Sequence, residues 1–337
     1  MSKKPLILVT MGDAAGIGPE IIAKLHLFHP VKKKADVLVI GDLFPMLSAQ
    51  RRVSRKIRIK PVTSIKGLSP ERHVINLLDL RQLSLNDWET GAESAAAGAA
   101  AYAYINRAVS LLLEKKAAAL VTAPVNKHAL HLAGVKEPGH TEILAKKAKA
   151  KNFAMMLMTG SLKVVLVTIH TSLKSVPALL TTKKIFDKIA LVHDSLKKDF
   201  RIKNPRIAVL GLNPHAGEKG AFGNEEKLKI IPAVKRAQKL GINASGPYPP
   251  DTIFHKIVKG SHDAALCMYH DQGLIPLKLI GFDSGVNFTM GLPFIRTSPD
   301  HGTAYDIAGT GKASEASLLS AFNTALMLAL NRRAGRR

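Results

Sequence analysis

The stretch Val-Val-Leu-Val-Thr-Ile-His at residues 164–170 is a short apolar run that ends on a histidine. Two later stretches repeat this arrangement: IAVLGLNPH at 207–215 and AALCMYH at 264–270. Such runs are typical of buried parallel strands, and the ligands of open α/β sheets bind outside the carboxyl ends of the strands. We therefore predict an α/β protein in which the three terminal histidines lie at one edge of a sheet.

These histidines are His170, His215 and His270. A single histidine in such a position is more often a hydrogen-bonded loop residue than a metal ligand. Three imidazoles at equivalent strand ends favour a divalent metal instead, with one coordination position left open for substrate, as in catalytic rather than structural sites.

Further apolar runs alternate with helix-like segments along the chain. The additional strand candidates are LILVT (6–10), DVLVIG (36–41), HVINLLD (73–79) and AALVTAPV (118–125). Helices are predicted in the Ala-rich stretch between Asn86 and Lys116 and from Lys312 to Asn331. The small residues of the Ala-rich stretch would allow a strand or a second subunit to approach closely, although an ordinary buried helix is the simpler interpretation. The alternation indicates the α/β class.

Composition limits the protein class. The 337 residues, 46% of them hydrophobic, are enough for two domains. Cys267 is the single cysteine, so no internal disulfide can form. No export signal is recognisable, and no apolar run reaches the roughly 18 residues of a membrane helix. We therefore expect a cytoplasmic protein without a membrane partner.

The net charge is unusually positive, since 49 Lys+Arg stand against 25 Asp+Glu and give +24. Such an excess raises the alternative of a nucleic-acid-binding protein, because neutralised phosphates release counterions. The basic clusters are scattered, however, and aromatic residues make up only 5% of the chain. We interpret the charge as solvated basic faces, and expect weak polyanion binding but no specific nucleic-acid partner.

Two loops outside the histidine motifs carry polar groups at helix starts. MGDAAGIGPE at 11–20 follows a strand candidate, and its glycines and the next helix amino terminus are suited to an anion. A plain turn from strand to helix is an equally good interpretation of this loop. Its spacing is not the dinucleotide fingerprint G-x-G-x-x-G. In Gly139-His140-Thr141-Glu142, Thr141 is a natural N-cap, whereas His140 has no capping role and is the better functional candidate.

Seven ordered motifs together resemble the family of 4-hydroxythreonine-4-phosphate dehydrogenases, NAD-dependent enzymes of vitamin B6 synthesis. The resemblance extends from about Pro5 to Asn331. The motifs are GDAAGIGPE, VTAPVNK (121–127), GHTE, NPHAGEKGAFGNEE (213–226), GPYPPDT (246–252), YHDQG and GVNFTMGLPFIRTSPDHGTAYDIAGTGKA (285–313). One departure is Ala14, where the family usually has proline.

The resemblance implies a two-domain isocitrate/isopropylmalate dehydrogenase-like fold with an interdomain active-site cleft, which binds NAD without a Rossmann domain. The expected domains are 1–128 plus 300–337, and 129–299 with the dimer interface.

The resemblance also implies roles for individual residues. His170, His215 and His270 would bind the metal, which is zinc, cobalt, magnesium or manganese, in a site shared between the subunits of a homodimer. The predicted substrate contacts are His140, Thr141, Lys278, Asn287 and Arg296. Asp251, Asp271 and Lys278 are the catalytic candidates; the two aspartates would act either as acid/base groups or as groups that support a neighbouring residue. Gly12, Asp13, His301, Gly302 and Asp306 are the predicted cofactor contacts.

The implied reaction is oxidation of 4-phosphohydroxy-L-threonine to a β-keto acid that loses carbon dioxide. A dehydrogenase of 4-phosphothreonate or 4-phosphoerythronate is the main alternative, because it would differ only around the substrate amine. A phosphate acyltransferase is a more distant alternative. Such an enzyme would need neither the three metal-binding histidines nor the loop at 300–309, and this chain has both.

Overall fold

The computed structural model describes residues 4–335, which form an α/β structure. The strands in this part of the chain are β1 (Leu6–Thr10), β2 (Asp36–Gly41), β3 (Arg58–Val62), β4 (Val74–Asp79), β5 (Ala119–Thr122), β6 (Ala154–Thr159), β7 (Leu162–Leu166), β8 (Ile207–Leu210), β9 (Ala244–Tyr248), β10 (Ala264–Cys267), β11 (Val286–Met290) and β12 (Ile295–Pro299). The α/β class predicted from the alternating runs is confirmed.

The helices alternate with these strands over most of the chain. They are α1 (Gly18–Phe28), α2 (Leu43–Val53), α3 (Ala95–Leu113), α4 (Lys127–Leu132), α5 (His140–Lys147), α6 (Val176–Leu179), α7 (Thr182–Lys198), α8 (Ile231–Lys239), α9 (Pro250–Val258), α10 (His270–Gly281) and α11 (Ala316–Ala334). Short 3₁₀ segments occur at Val31–Lys33, Leu173–Ser175 and Pro214–Gly220, and a π-helical turn at Glu226–Ile230 precedes α8. Within residues 4–335, no helix has both the length and the apolar character of a membrane span.

The chain divides into two compact units. Among the described residues, the first contains 4–151 together with Leu292–Leu330, and the second contains Asn152–Gly291 and residues 331–335. These divisions differ from the predicted boundaries after residues 128 and 299. The difference arises because α5 packs on α3 and β12 pairs with β5, so both elements belong to the first unit.

The first unit contains a parallel half-sheet in the order β3-β4-β2-β1-β5-β12. Its central strand β1 is fully buried at Ile7, Leu8 and Val9, as expected for a parallel strand covered on both faces. Gly12 follows β1 with φ of +74°, and Pro19 lies in the first turn of α1. The chain therefore turns from strand to helix at the glycine-rich loop, as predicted.

The second unit contains a mixed half-sheet in the order β11-β6-β7-β10-β8-β9. β6 is antiparallel to both β11 and β7, whereas β10 is parallel to both β7 and β8. The three strands predicted to precede the histidines are thus β7, β8 and β10, and they are direct neighbours. Their carboxyl ends lie at the same edge of this half-sheet.

Candidate active site

His170 and His270 lie at this edge of the second unit and line one cavity. Their ring centroids are 5.7 Å apart, and the ring planes are inclined by 41°. The cavity has a volume of about 350 Å³ and is lined by residues 168–173, Val176 and 269–271. Two of the three predicted metal ligands therefore face the same space.

Asp271 orients the ring of His270. Its Oδ1 lies 2.7 Å from Nδ1 of the imidazole. When Nδ1 carries the proton and donates it to this carboxylate, Nε2 keeps its lone pair for a ligand. A carboxylate that fixes the tautomer in this way is the usual partner of a metal-binding histidine. This arrangement supports the second of the two roles considered for Asp271, a group that acts through its neighbour.

His215 lies in an exposed loop and is not among the residues that line the cavity. Residues 215–219 all have positive φ, between 38° and 83°, which non-glycine residues rarely adopt. Buried Glu226 anchors the start of this loop, because its Oε1 accepts hydrogen bonds from the amides of Leu212 (2.7 Å) and Asn213 (2.8 Å).

A complete metal site is not assembled within the described part of one chain. Among residues 4–335, no group of three His, Cys, Asp or Glu side chains is placed to hold a metal ion. The three predicted histidine ligands therefore do not come together within the described residues of one subunit. The expectation of a site completed by a second subunit stays a prediction.

The first unit contains a separate cluster built around Arg296. This residue of β12 is 2% exposed, and its Nε and Nη2 donate hydrogen bonds to Oγ1 of Thr122, at 3.1 and 2.7 Å. Burial lowers the pKa of Arg296 to about 9, whereas the charge of Glu142 opposes the shift. A buried guanidinium of this kind is suited to holding an anion.

His140 lies beside Arg296 at the start of α5. Burial, and then the charge of Arg296, hold the pKa of His140 well below its usual value. Its Nε2 is buried and has no hydrogen-bond partner among the described residues. The imidazole is therefore neutral and presents one unused nitrogen next to a cation, which is suited to a polar, anionic ligand.

The predicted N-cap role of Thr141 is wrong. Gly139 is the N-cap residue of α5, so Thr141 lies inside the first helical turn, where it is 7% exposed. The helix begins two residues earlier than a threonine cap would place it. Thr141 thus joins His140 and Arg296 in the first unit.

The other predicted substrate and catalytic residues belong to the second unit. Lys278 is exposed on α10, with Nζ 5.5 Å from the centre of the Phe282 ring. Asn287 on β11 donates to Sδ of Met155 at 3.2 Å, while its Oδ1 is buried without a hydrogen-bond partner among the described residues. Asp251 is exposed in the first turn of α9.

The predicted cofactor residues are all in the first unit, but they differ in exposure. His301, Gly302 and Asp306 are exposed, whereas the carboxyl of Asp13 is 1% exposed and accepts a hydrogen bond from the hydroxyl of Tyr305 at 2.8 Å. A Cβ placed on Gly302 would meet no atom of the described chain within 4 Å. The backbone there is open to a ligand, whereas Asp13 is not.

Sequence reasoning missed three residues of these clusters: Thr122, Glu142 and Tyr305. Each lies within a quoted motif, VTAPVNK, GHTE or the 285–313 stretch. Position in a motif was the only signal available, because their partners are distant along the chain. Thr122 and Arg296 are separated by 174 residues.

The sequence matches a known family over most of its length. The family model described as "Pyridoxal phosphate biosynthetic protein PdxA" matches residues 33–325. The chain belongs to this family. The matched range includes the segments that carry the three histidines and Arg296.

Relatives of this PdxA-family chain, among them one with a solved structure, are similar to it over nearly their whole length. It is 47% identical to 4-hydroxythreonine-4-phosphate dehydrogenase of Geobacter metallireducens, covering 97% of this chain and 96% of that protein. It is 43% identical to D-threonate 4-phosphate dehydrogenase of Salmonella typhimurium, covering 96% and 98%. The crystal structure of 4-hydroxythreonine-4-phosphate dehydrogenase from Klebsiella pneumoniae superposes with a TM-score of 0.89 at 42% identity, covering 97% and 100%.

The relatives agree on the type of chemistry. Both sequences and the solved structure are named as dehydrogenases. This PdxA-family chain is therefore an oxidoreductase of the dehydrogenase type.

Proposed function

We propose that the chain oxidises 4-phosphohydroxy-L-threonine with NAD and a divalent metal, as a step of pyridoxal 5'-phosphate synthesis. The product, 2-amino-3-oxo-4-phosphooxybutanoate, is a β-keto acid and loses carbon dioxide to give 3-amino-2-oxopropyl phosphate. The observation that carries this proposal is the pair His170 and His270 facing one cavity in a chain of the PdxA family.

The donor set fits a divalent metal. Two imidazoles face one cavity, and Asp271 leaves Nε2 of His270 available. His170, His215 and His270 would hold the metal, with the histidines supplied by two subunits. When bound, the metal lowers the pKa of the substrate hydroxyl that is oxidised. The three-imidazole set suits zinc and cobalt, with manganese or magnesium as the remaining alternatives.

The charged ends of the substrate require residues that bind phosphate and carboxylate. Arg296 supplies a buried planar cation, and neutral His140 supplies a ring nitrogen without an internal partner. Lys278, Asn287 and Thr141 complete the proposed substrate contacts. Arginine favours two-point contact with an oxyanion, whereas Lys278 acts as a compact charge.

The first unit has features that fit a dinucleotide. The open backbone at Gly302 and the exposed side chains of His301 and Asp306 lie on one segment. These residues and Gly12 would hold the cofactor. NAD supplies the hydride acceptor for the oxidation.

A homodimer would complete the metal site. The helix α10 begins with His270 and exposes large apolar side chains, of which Leu279 is 86% exposed, and Phe282, directly after the helix, is 74% exposed. Exposed apolar patches of this kind mark protein interfaces. We place the dimer contact on α10, beside the metal-binding histidine.

Two further expectations concern the cellular compartment and the binding of polyanions. We expect a cytoplasmic location, because the single cysteine, Cys267, is buried and forms no disulfide. The scattered positive charge supports salt-sensitive, nonspecific polyanion binding, and no specific nucleic-acid partner is proposed.

Oxidation of 4-phosphothreonate is a second candidate function. It is favoured by the 43% identity to D-threonate 4-phosphate dehydrogenase of Salmonella typhimurium. Phosphoerythronate belongs to the same substrate class. All these acids share the phosphate and carboxylate that Arg296 and Lys278 would bind, so the difference is confined to the substrate position that carries the amine.

The assay is formation of NADH by the purified protein with 4-phosphohydroxy-L-threonine or 4-phosphothreonate, each with and without a chelator. We expect turnover of the amino acid to dominate, to disappear with chelator and to return with added zinc or cobalt. Faster turnover of the threonate would establish the second candidate. Activity with neither substrate after metal is restored would refute the dehydrogenase proposal.

Replacing a predicted ligand tests the metal site directly. His170→Ala is expected to lower kcat by at least about 100-fold and to reduce the amount of metal bound per chain. His131→Ala is the matched control, because His131 is an exposed histidine on α4. Unchanged metal content in His170→Ala, measured by elemental analysis, would remove His170 from the ligand set.

A further inference from the structure

The segment 300–313 of the first unit contains no strand or α-helix, although it carries most of the predicted cofactor contacts. It lies between β12 and α11. A segment that lacks the regular backbone hydrogen bonds of a strand or helix presents a fixed surface only when neighbouring groups hold it in place. The structure shows which groups do so.

Asp13 holds the segment through Tyr305. The hydroxyl of Tyr305 donates to Oδ2 of Asp13 at 2.8 Å, and the amide of Ala15 donates to Oδ1 at 2.9 Å. Both carboxylate oxygens are therefore engaged inside the protein, and the side chain is 1% exposed. Asp13 does not present its charge to a ligand in solvent.

Glu20 and Lys24, on α1, hold the far end of the same segment. Glu20 accepts hydrogen bonds from the amides of Gly311 (3.3 Å) and Ala313 (3.1 Å). Lys24 donates to the carbonyl oxygens of the same two residues, at 2.7 and 2.5 Å. The two side chains also form an ion pair at 3.1 Å. Both the amides and the carbonyl oxygens of Gly311 and Ala313 are therefore held by α1.

A backbone contact adds a third attachment, two residues before Tyr305. The amide of Ile17 donates to the carbonyl oxygen of Thr303 at 3.0 Å. A Cβ on Gly16 would come within 2.9 Å of Cβ and the carbonyl oxygen of Thr303. The glycine therefore permits the close approach that this hydrogen bond requires.

Keeping Asp13 buried has an energetic cost. Burial raises the pKa of its carboxyl above the usual value, and the hydrogen bonds from Tyr305 and Ala15 only partly oppose this. A phenylalanine at 305 and an apolar residue at 13 would avoid that cost. The Asp13–Tyr305 pair therefore does more than fill space. It holds the segment 300–313 in one position.

We propose that Asp13 is a positioning residue, which acts through Tyr305 to fix the segment 300–313 so that His301, Gly302 and Asp306 meet the dinucleotide. This inference rests on the proposed function, because it takes NAD as the ligand of the segment. It changes the role of Asp13 from a direct cofactor contact to a support for the residues that make such contacts. Glu20 and Lys24 have the same role at the other end.

The first test is Tyr305→Phe, which removes only the hydroxyl donor. Loss of one such hydrogen bond is expected to raise the Kd for NAD about three- to tenfold while kcat changes little. Hydrogen exchange of the amides in 300–313 should accelerate by a similar factor without any cofactor present. Tyr102→Phe is the control, because the Tyr102 ring lies on α3 under Lys147.

NAD binding can be followed through Trp88, the single tryptophan of the chain. Its side chain lines a small cavity of the first unit together with Ala14 and Gly309. Fluorescence of Trp88 therefore reports on the surroundings of both the first loop and the segment. This readout is independent of turnover.

The second test compares Asp13→Asn with Asp13→Ala. Asparagine can still accept from the amide of Ala15 and can donate from Nδ2 to the oxygen of Tyr305, so positioning predicts nearly normal NAD affinity for Asp13→Asn. Asp13→Ala removes both contacts and should weaken NAD binding at least as much as Tyr305→Phe. If the charge of Asp13 contacts the cofactor, Asp13→Asn would instead lose affinity as strongly as Asp13→Ala, which would overturn the inference.

The outcomes separate this inference from the proposed function. If the wild-type chain binds NAD but Tyr305→Phe leaves both the Kd and the exchange of 300–313 unchanged, positioning by Asp13 is refuted and the dehydrogenase proposal stands. If the wild-type chain binds no NAD, the proposed function fails and this inference fails with it.

Discussion

His26 shows how burial of a single residue makes stability depend on pH. It lies in α1, is fully buried, and has Nδ1 3.0 Å from the carbonyl oxygen of Ile22. Burial lowers its pKa from 6.5 to about 4. When the pH falls below the pKa that His26 has in the unfolded chain, the unfolded chain binds a proton that the folded chain does not bind. Stability is therefore lost as pH falls from the unfolded towards the folded pKa, and His26 has no such effect above that range.

His26→Gln should remove this dependence, because the glutamine amide does not titrate. Between about pH 7 and about pH 5, the wild type should lose about 2 kcal/mol more unfolding free energy than the variant. The measurement is denaturant unfolding followed by Trp88 fluorescence at both pH values. His131→Gln, an exposed site, is the control, and parallel profiles for wild type and His26→Gln would contradict the prediction.

At the residue scale, the sequence indicated which chemical groups matter but not what surrounds them. The positions of His170, His215 and His270 after three strands followed directly from the apolar runs. The burial of Asp13 did not, because its partner Tyr305 is 292 residues away. The neutral state of His140 likewise depends on burial and on Arg296, two properties that only the folded chain has.

At the element scale, the close packing of α3 on α4 explains the Ala-rich stretch. An ideal Cβ on Gly98 would lie 2.0 Å from the carbonyl oxygen of Ala129. The neighbour that approaches closely is therefore a helix of the same chain, whereas a strand or a second subunit was considered from the sequence. Ser94 caps α3 by accepting from the amide of Ala97 at 3.1 Å.

Gly98→Ala tests this packing by the sign of its effect. Helix propensity alone would stabilise the variant by about 1 kcal/mol. The clash with a backbone oxygen should instead destabilise it by roughly 1–3 kcal/mol. The measurement is the unfolding free energy of Gly98→Ala, which decides between stabilisation by helix propensity and destabilisation by the clash. Ala99→Gly is the control, because this exposed neighbour measures helix propensity in the same helix. A more stable Gly98→Ala would show that α3 and α4 are not in contact there.

The strands that were predicted and those that were missed differ in a physical way. The seven predicted strands are buried apolar runs, and all of them occur. The outer strands β3 and β9 were missed because RIKPV is charged and ASGPY contains glycine and proline, as edge strands often do. β6 is rich in methionine rather than β-branched residues, and β11 and β12 follow one another inside a long motif.

At the scale of the whole molecule, the apolar face of α10 is the strongest indication of assembly. In a two-fold dimer each contact occurs twice, so one leucine contributes at both ends of the interface. The same helix begins with His270, so the proposed dimer contact and the proposed metal site would be linked. Loss of the dimer should therefore also lower metal-dependent activity.

Leu279→Lys should dissociate the dimer. Two buried leucines contribute about 3 kcal/mol or more, so the dimer Kd should rise at least about 100-fold. Sedimentation velocity across a dilution series measures this change. Leu240→Lys is the control, because Leu240 is 66% exposed after α8. If Leu279→Lys and wild type sediment alike as dimers, α10 is not the interface.

The position of Cys267 gives this protein a natural chemical reporter. The thiol lies in the middle of the second half-sheet, on β10 between β7 and β8, is fully buried, and has a pKa raised by that burial. A thiol reagent added to the native protein can react only when these strands separate. The rate of labelling therefore measures how often the second unit opens, in the unmodified protein and without an engineered probe, while Trp88 reports on the first unit.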